Sequence, residues 1–336
     1  MPSKSLRFIQ GGIETTKGTE ADATWLWRGT GVFDDQLTLE SPSEDIGYYV
    51  NLDRTYIPKT LGQMSFDSTP ATFQQLPYIL AAGVENVVSG TQDGENGSDY
   101  IYQYDFPVTS ASTIKSYTLE GGNSTQEYQM LYSFVRSFKL TGAPGEALKM
   151  ESVWNGRQIA TGTKTSAVAV PTVEEVLFSK GKLYIDAVTG TIGTTQVSSA
   201  FYGMDFSVDT GWFPLFTADG NIYFTADNYN RDTLKVNLGL TFQFTSDAVS
   251  QLANWRAETP QQIRILFEGS AFTTAGTTYS YHSVILDLAG YWDRFEPIGE
   301  ADGNDIIKGN FRVAYNSSAD VSFGSITVVN QLSALT

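Results

Sequence analysis

"FDSTPATFQQLPYILAAG", residues 66–83, decides how the rest of this chain is read, because it predicts one short helix among strands and turns. Thr69 is placed to act as N-cap, and Pro70 follows at the first helical position, where a missing N–H removes nothing. Phe73, Leu76 and Leu80 fall on one face at helical spacing, and Gly83 is a stop signal. Pro77 interrupts the pattern and predicts a kink. A second stretch, "FTSDAVSQLANWRAET" at 244–259, echoes the first: Ser246 and Asp247 open it, and Val249, Leu252 and Trp255 form its expected apolar face. Each helix is expected to cover the outer face of a sheet.

Working outward, the two halves carry similar elements in the same order. A strand ending in phenylalanine (Phe66, Phe244) precedes each helix, and a strand closing on Glu-Gly follows it, "YTLEGG" at 117–122 and "ILFEGS" at 265–270. Each half continues through a polar hairpin turn into an aromatic-rich strand, "YQMLYSFVRSFKL" or "YSYHSVILDL", then through a Gly- and acid-containing loop into "LKMESVWNGR" or "IIKGNFRVAYN". Such recurrence predicts an internal duplication of a β unit of roughly 150 residues. "ATGTKTSAVAVPTV", 160–173, lacks large side chains and reads as the connection. The expected division is therefore a first domain at 1–160 with an N-terminal arm, a linker at 161–173 and a second domain at 174–336. Further strands are expected at "ATWLWRG", "IGYYVNL", "YIYQYDF", "VEEVLFSKGKLYID" and "YGMDFSVDTG". In "KVNLGLTFQF", 235–244, apolar residues alternate with polar ones, which predicts a sheet with one buried and one exposed face.

The chain has 336 residues with 21 basic and 37 acidic side chains, a formal charge of −16. That balance argues against holding nucleic acid by phosphate neutralisation, which needs clustered Lys and Arg. Cysteine is absent, so disulfides, thiolate metal sites and thiol nucleophiles are excluded. The N-terminal "MPSKSLRFIQGG" shows no apolar signal-peptide core, and no apolar run reaches the length of a membrane-spanning helix, so no membrane insertion is expected.

Candidates for chemistry are sparse. His282, the one histidine, sits in a strand-like run, where a place on one sheet face outweighs a role as general base. "DGENGSD" (Asp93, Glu95, Asp99) and "ADGNDI" (Asp302, Asn304, Asp305) resemble fragments of calcium loops but lack the distal glutamate and the central glycine position of an EF-hand, so they read first as turn-forming acids. No phosphate loop or zinc motif is present. No cofactor or metal is expected, and no enzymatic activity. Trp25 and Trp27 lie two apart and point the same way from a strand, which suits core or subunit packing better than a sugar-binding face. Arg28 and Arg54 are placed to pair with acids of a neighbouring molecule.

Taken together, "GGIETTKGTEADATWLWRG", "YIPKTLGQMSFDSTPATFQQLPYILAAGVE", "YTLEGG" and "ESVWNGR" resemble the start of a major tail tube protein of long-tailed bacteriophages. "MDFSVDTGWFPLFTADGNIYF", "LTFQF", "VSQLANWRAE" and "IRILFEG" resemble its partner half in duplicated members. The resemblance implies two tandem β-sandwich or half-barrel domains, each flanked by one helix. Three chains then form a ring of pseudo-sixfold symmetry, the inner sheets join into one barrel, and rings stack head to tail into the tail tube of the virion. It also implies tape measure, tail terminator and distal tail proteins as partners, and duplex DNA passing through the lumen without specific binding. With four strands per unit, spaced ~4.8 Å and tilted roughly 40°, such a barrel has a backbone diameter of about 48 Å. The acidic balance leads us to expect an acidic lumen that does not grip phosphates. Stacking is expected from the arm Pro2 to Glu20, from the loop Asp34 to Asp45, including Asp35, and from the linker, with the arm unstructured until a neighbour binds it. Two readings stay beside this one: a β-sandwich receptor- or glycan-binding module using Trp25 and Trp27, and a hydrolase using paired carboxylates.

Overall fold

The computed structural model describes residues 7–49, 53–95, 97–198 and 200–336. The first residues of the expected arm, Pro2 to Leu6, and the end of "IGYYVNL", Val50 to Leu52, lie outside them. The first half runs β1 (Phe8–Ile13), β2 (Trp25–Leu26), β3 (Gly31–Asp35), β4 (Gly62–Pro70), α1 (Leu76–Gly83), β5 (Thr91–Gln92), β6 (Tyr100–Asp105), β7 (Tyr117–Gly122), β8 (Glu127–Gly142), β9 (Lys149–Gly156) and β10 (Ile159–Thr161). The second runs β11 (Gly181–Ala187), β12 (Gln196–Val197), β13 (Phe201–Asp209), β14 (Trp212–Leu215), β15 (Ala226–Tyr229), β16 (Lys235–Gln243), α2 (Ser246–Arg256), β17 (Gln261–Ala271), β18 (Tyr281–Phe295), β19 (Gly299–Ala301), β20 (Asn304–Val313) and β21 (Gly324–Asn330). Strand takes 47% of the chain and helix 8%, so the fold is mainly β, dominated by a large antiparallel sheet.

Alternation makes that sheet. Along β16, Val236, Leu238, Leu240 and Phe242 are buried while Lys235 and Asn237 face solvent. Side chains two apart share a face, so such a strand covers a core on one side and meets water on the other. The same order of neighbours occurs twice. In the first half it is β1-β7-β8-β9-β4-β3, and in the second β11-β17-β18-β20-β16-β13. Even the irregularities correspond: β8 bulges between Val135 and Ser137 against β9, and β18 bulges between Trp292 and Arg294 against β20.

The long strands β8 and β18 each change neighbours along their length, β18 pairing with β17 and β21 over its first part and with β20 over its last. The first part of β8 pairs with β7 and β10, and its second part with β9 and β13. Tyr132 stands at the change of direction with φ of 55°, a left-handed conformation that a bulky residue adopts only when its surroundings hold it there. The holder is Glu14, a buried carboxylate that accepts hydrogen bonds from the Tyr132 N–H (2.7 Å), Gly18 N–H (2.6 Å), Ser116 Oγ (2.5 Å) and Thr118 Oγ1 (3.2 Å). The described part of the arm is therefore not a free tail: Phe8–Ile13 is paired along its length with β7.

Several local expectations are corrected. The first helix starts at Leu76, not beside Thr69 and Pro70, because β4 continues through a bulge and sets Thr69 against Met150 and Pro70 against Lys149. Pro70 closes that strand, a position where a missing donor is tolerated. Gln75 is the N-cap residue, and its N–H donates to Thr72 Oγ1 (3.2 Å). Pro77 falls in the first helical turn, so it starts the helix and does not kink it. Every residue of α1 is buried, as is Phe73 before it, and the helix packs between β8 and β6 without forming an outer cover. The second helix has Thr245, not Ser246, as N-cap. Its inner face is rotated: Val249 is 50% exposed, Ala248 and Gln251 are buried, and Leu252 and Trp255 pack half-buried against the core. The rotation follows from Gln251, whose Oε1 accepts from Trp292 Nε1 (3.2 Å) and so turns inward.

"IGYYVNL" forms no strand over its described residues 46–49, and "ATWLWRG" contributes only Trp25–Leu26. The strand β21, wholly buried between β18 and β6, has no counterpart in the expectations, since a strand covered on both faces shows no alternation. We expect Leu240→Ala to cost about 2–5 kcal/mol in urea unfolding. Val249→Ser should stay within about 0.5 kcal/mol of the parent; an equal loss at both positions would contradict the face assigned to α2.

Candidate assembly interface

The strand pairing crosses the two halves. Met204–Asp209 of β13 pair with Gly142–Ser137 of β8, and β21 pairs with β6. The first joint turns separate strands into one ribbon, β3-β4-β9-β8-β13-β16-β20-β18, eight strands in order. Phe206 and Leu140 lie directly opposite each other in the joint and are fully buried, and the Phe138 and Phe206 rings meet edge to face at 6.2 Å. On the solvent face of the joint Lys139 pairs with Asp205 at 2.8 Å, and that hydrogen bond is the main cause holding the Lys139 ammonium above its ordinary pKa. Thr210 closes the joint: buried, it donates Oγ1 to the Val135 and Arg136 carbonyls (2.9 and 3.0 Å).

Next to the joint, the segment between β13 and β16 folds back over the first half. It carries the β14–β15 hairpin and buries Trp212 and Phe224 against Ile114, Tyr132 and Phe134. Phe224 stacks on Tyr132 at 5.1 Å, and the Phe224 carbonyl accepts from Arg157 Nε (3.1 Å). Asp227 accepts from Lys17 Nζ (2.8 Å) and from the Tyr132 hydroxyl (2.7 Å).

The repeated neighbour order gives each part of this joint a counterpart that has no partner. By ladder position, β3 corresponds to β13, with Phe33 in the place of Phe206. Its outer edge pairs with no strand among the described residues. The segment following Arg294 corresponds to Ser137–Gly142 of β8. It is bound to β20 on one side, as by Glu296 N–H to the Lys308 carbonyl (2.8 Å), and no strand lies on its other side among the described residues. The segment between β3 and β4 corresponds to the one that buries Trp212 and Phe224. Its described residues leave Leu39, Tyr48, Tyr49 and Tyr56 exposed, carry the Glu40–Tyr56 bridge and the Arg54–Glu44 ion pair (2.6 Å), and meet the second half where the Thr60 N–H donates to the Ile222 carbonyl (2.8 Å). The places corresponding to Tyr132 and Phe134 on the second half are Ala289 and Tyr291, and Tyr291 is exposed.

The residues singled out from sequence distribute unevenly over this surface. Asp34 and Asp35 are exposed at the end of β3, on the open edge itself. Trp25 and Trp27 are buried in the chain's own core at 5% and 4% exposure, Trp25 against Tyr78 and Trp27 against Phe66, so neither is available to a sugar or a neighbour. Arg28 and Arg54 satisfy themselves within the chain, Arg28 Nε on the Pro171 carbonyl (2.7 Å) and Arg54 on Glu44. Leu76, Leu80, Val249, Leu252 and Trp255 belong to the helices and Phe73 to the buried turn before α1, not to the paired or open edges.

His282 is buried between Phe73 and Phe272. Burial holds its pKa below the ordinary value against the opposing pull of Glu174, whose carboxylate is 3.9 Å away. No nucleophile is hydrogen-bonded to it among the described residues, and no cluster of three or more His, Cys, Asp or Glu there could hold a metal. No protein-family model matches the chain, and no curated protein matches it in sequence.

The β8–β13 joint itself was not legible in advance, although the shared pattern of "GVFDD" and "MDFSVD" is the signal that links the two edges. We expect Thr210→Val, which takes the hydroxyl donor from the Val135 carbonyl while the Arg136 carbonyl keeps the backbone N–H of residue 210 (3.0 Å), to cost about 1–3 kcal/mol. Amide hydrogen exchange over 204–209 should accelerate in that variant; unchanged protection would show that Thr210 does not close the joint.

Proposed function

We propose that this chain is a structural subunit that joins copies of itself edge to edge, three to a ring of pseudo-sixfold symmetry, and that the rings stack into the tail tube of a long-tailed bacteriophage. The observation that carries this reading is the ribbon whose two free ends correspond to the two sides of its own internal joint. A sheet open at both ends adds strands readily, and a ring uses that tendency by closing. Three ribbons bring about 24 strands round, which at ~4.8 Å spacing and roughly 40° tilt makes a barrel of about 48 Å backbone diameter. Side chains leave an opening that passes duplex DNA. A string of independent adhesive domains would have no need of strand ladders across its halves, and the burial of Trp25 and Trp27 removes the aromatic platform of the glycan-binding alternative.

The expected acidic wall is revised. The solvent face of the ribbon carries Asp34, Glu151, Asp205, Asp209 and Glu296, but also Lys139, Lys149, Lys235, Lys308, Arg294 and Arg312. The charge of −16 is not concentrated there. Opposite signs stand beside one another in places, as Lys139 and Asp205 do at 2.8 Å and as Asp209 does opposite Lys235 in the ladder, while Lys308, Arg294 and Arg312 form no ion pair among the described residues. A lumen of mixed sign grips phosphates less than a clustered basic patch would.

The internal register, carried over to two copies, sets Phe33 of one opposite Pro297 of the next, Asp34 opposite Glu296 and Gln36 opposite Arg294. Like charges directly opposite weaken a ladder, and edge acids together with a proline are the usual guards against premature pairing. The free subunit is thereby kept from random association, while the ring must overcome one like-charge pair per joint, eased by Arg294 on the diagonal.

Electron microscopy of the purified full chain should show rings or hollow rods about 40 Å wide inside, the opening that such a barrel leaves. Monodisperse monomers at high concentration would overturn the reading. Asp34→Ser, which installs the residue found at the corresponding place in β13, should assemble at lower ionic strength than the parent in sedimentation velocity, because salt screens the Asp34–Glu296 repulsion over ~8 Å. An identical salt dependence would exclude this register.

A further inference from the structure

The loop "DGENGSD" is where the charge accounting of the described residues fails to close. Asp99 is 0% exposed, and among the described residues neither of its carboxylate oxygens has a hydrogen-bond donor. It lies within hydrogen-bonding reach of the Asp93 carboxylate, itself 4% exposed. Asp93 is provided for, accepting from the Thr278 N–H (2.8 Å) and the Tyr279 N–H (2.7 Å). No lysine, arginine or histidine among the described residues forms an ion pair with either acid. Two buried carboxylates side by side without a countercharge are costly, and the native state must supply positive charge to one or both. Burial, and after it the charge of Asp93, raises the pKa of Asp99, while the hydrogen bonds from the 278–279 turn lower that of Asp93.

The surroundings supply oxygen donors and room for close approach. A Cβ on Gly97 would collide with the Asp93 carbonyl oxygen and with Asp99 Oδ1, and one on Gly276 would collide with the Asp93 carboxylate. Both glycines are thus required where oxygens converge, and no nitrogen or sulfur ligand is among them. The two acids belong to different levels of one clasp. Asp93 N–H donates to the Asp99 carbonyl (3.2 Å), Thr277 N–H donates to the Asp93 carbonyl (3.2 Å), and Ser98 N–H donates to the Thr274 carbonyl (3.1 Å). The loop of the first half is thereby buttoned to the 272–280 hairpin of the second.

The geometry points to a calcium site formed by the Asp93 and Asp99 carboxylates at this clasp, a binding site independent of the tube reading. A divalent cation balances both charges at once, and an all-oxygen set in an irregular loop suits calcium, which accepts variable coordination, over magnesium, which demands near-ideal octahedral geometry. Glu95, exposed in the same loop, is not a ligand. The bound ion fixes the 93–99 loop, whose hydrogen bonds to residues 274–279 tie it to the second half at a point remote from the β8–β13 joint.

The test uses the full chain, stripped of metal with a chelator at pH 7.5, and follows the thermal midpoint as CaCl2 is added, with MgCl2 as control. Calcium should raise the midpoint saturably and magnesium should act far more weakly. Asp99→Asn should abolish the calcium response, and Glu95→Gln should keep it. No calcium response up to ~10 mM, tenfold above the weakest ordinary calcium modules, overturns the site. So does an equal response in the parent and in Asp99→Asn, which places the ion elsewhere. A metal-free Asp99→Asn more stable than an unresponsive parent also overturns it, and identifies a shared proton as the occupant. Should Asp99→Asn not fold, Asp93→Asn replaces it with the same expected loss of response.

Discussion

The ladder between Ser137–Gly142 and Met204–Asp209 is the interaction on which the larger architecture depends. Backbone N–H and C=O groups at a sheet edge must be paired, hydrated or covered, and a joint that also buries Phe206 and Leu140 adds apolar burial to the ladder bonds. For this to happen β8 has to leave one sheet and enter another within a single strand. The turn at Tyr132, with its positive φ, and the bulge after Val135 make that change of direction, and the buried Glu14 carboxylate holds it by capping the Tyr132 N–H. A residue near the N-terminus thus governs how the two halves meet. Its four hydrogen-bond donors explain why an acid is tolerated there at all.

What is closed inside the chain is open at its ends. The segment after β13 spends Trp212 and Phe224 on the first half, whereas its counterpart after β3 leaves Leu39, Tyr48, Tyr49 and Tyr56 in solvent. Clustered exposed aromatic residues on an arm of otherwise polar chain are uncommon in a monomer unless something covers them.

The strong acidity of the chain has no single location. Some carboxylates are consumed structurally, like Glu14 and like Glu120, which accepts from Gln10 Nε2 (2.6 Å) and from Thr165 Oγ1 (2.8 Å) and so anchors the connection between the halves. Others, such as Asp34 and Asp35, stand exposed on the unpaired edge of β3, and on the ribbon face acids are interspersed with lysine and arginine. Net charge therefore speaks to solubility and to the exclusion of phosphate-gripping patches, while the character of any one surface depends on which residues the register brings side by side.

Composition and periodicity alone determined that this is a mainly β protein, that Val236 to Phe242 face a core, and that similar elements recur in two halves, because alternation and turn chemistry are local properties of the chain. They also marked both helices, missing the first start by reading Thr69-Pro70 as a cap when a bulge carries β4 through them. Only the tertiary structure decided which face of α2 is inward, since Gln251 is drawn in by Trp292 across the sheet. It alone showed β21, whose burial on both faces erases alternation, and the fate of Trp25 and Trp27, whose spacing fits a platform as well as a core. The joint between β8 and β13 belongs to the same class: a strand edge carries its pairing capacity in the backbone, which every sequence shares, so its partner is chosen by shape, register and the residues that long-range packing happens to place beside it.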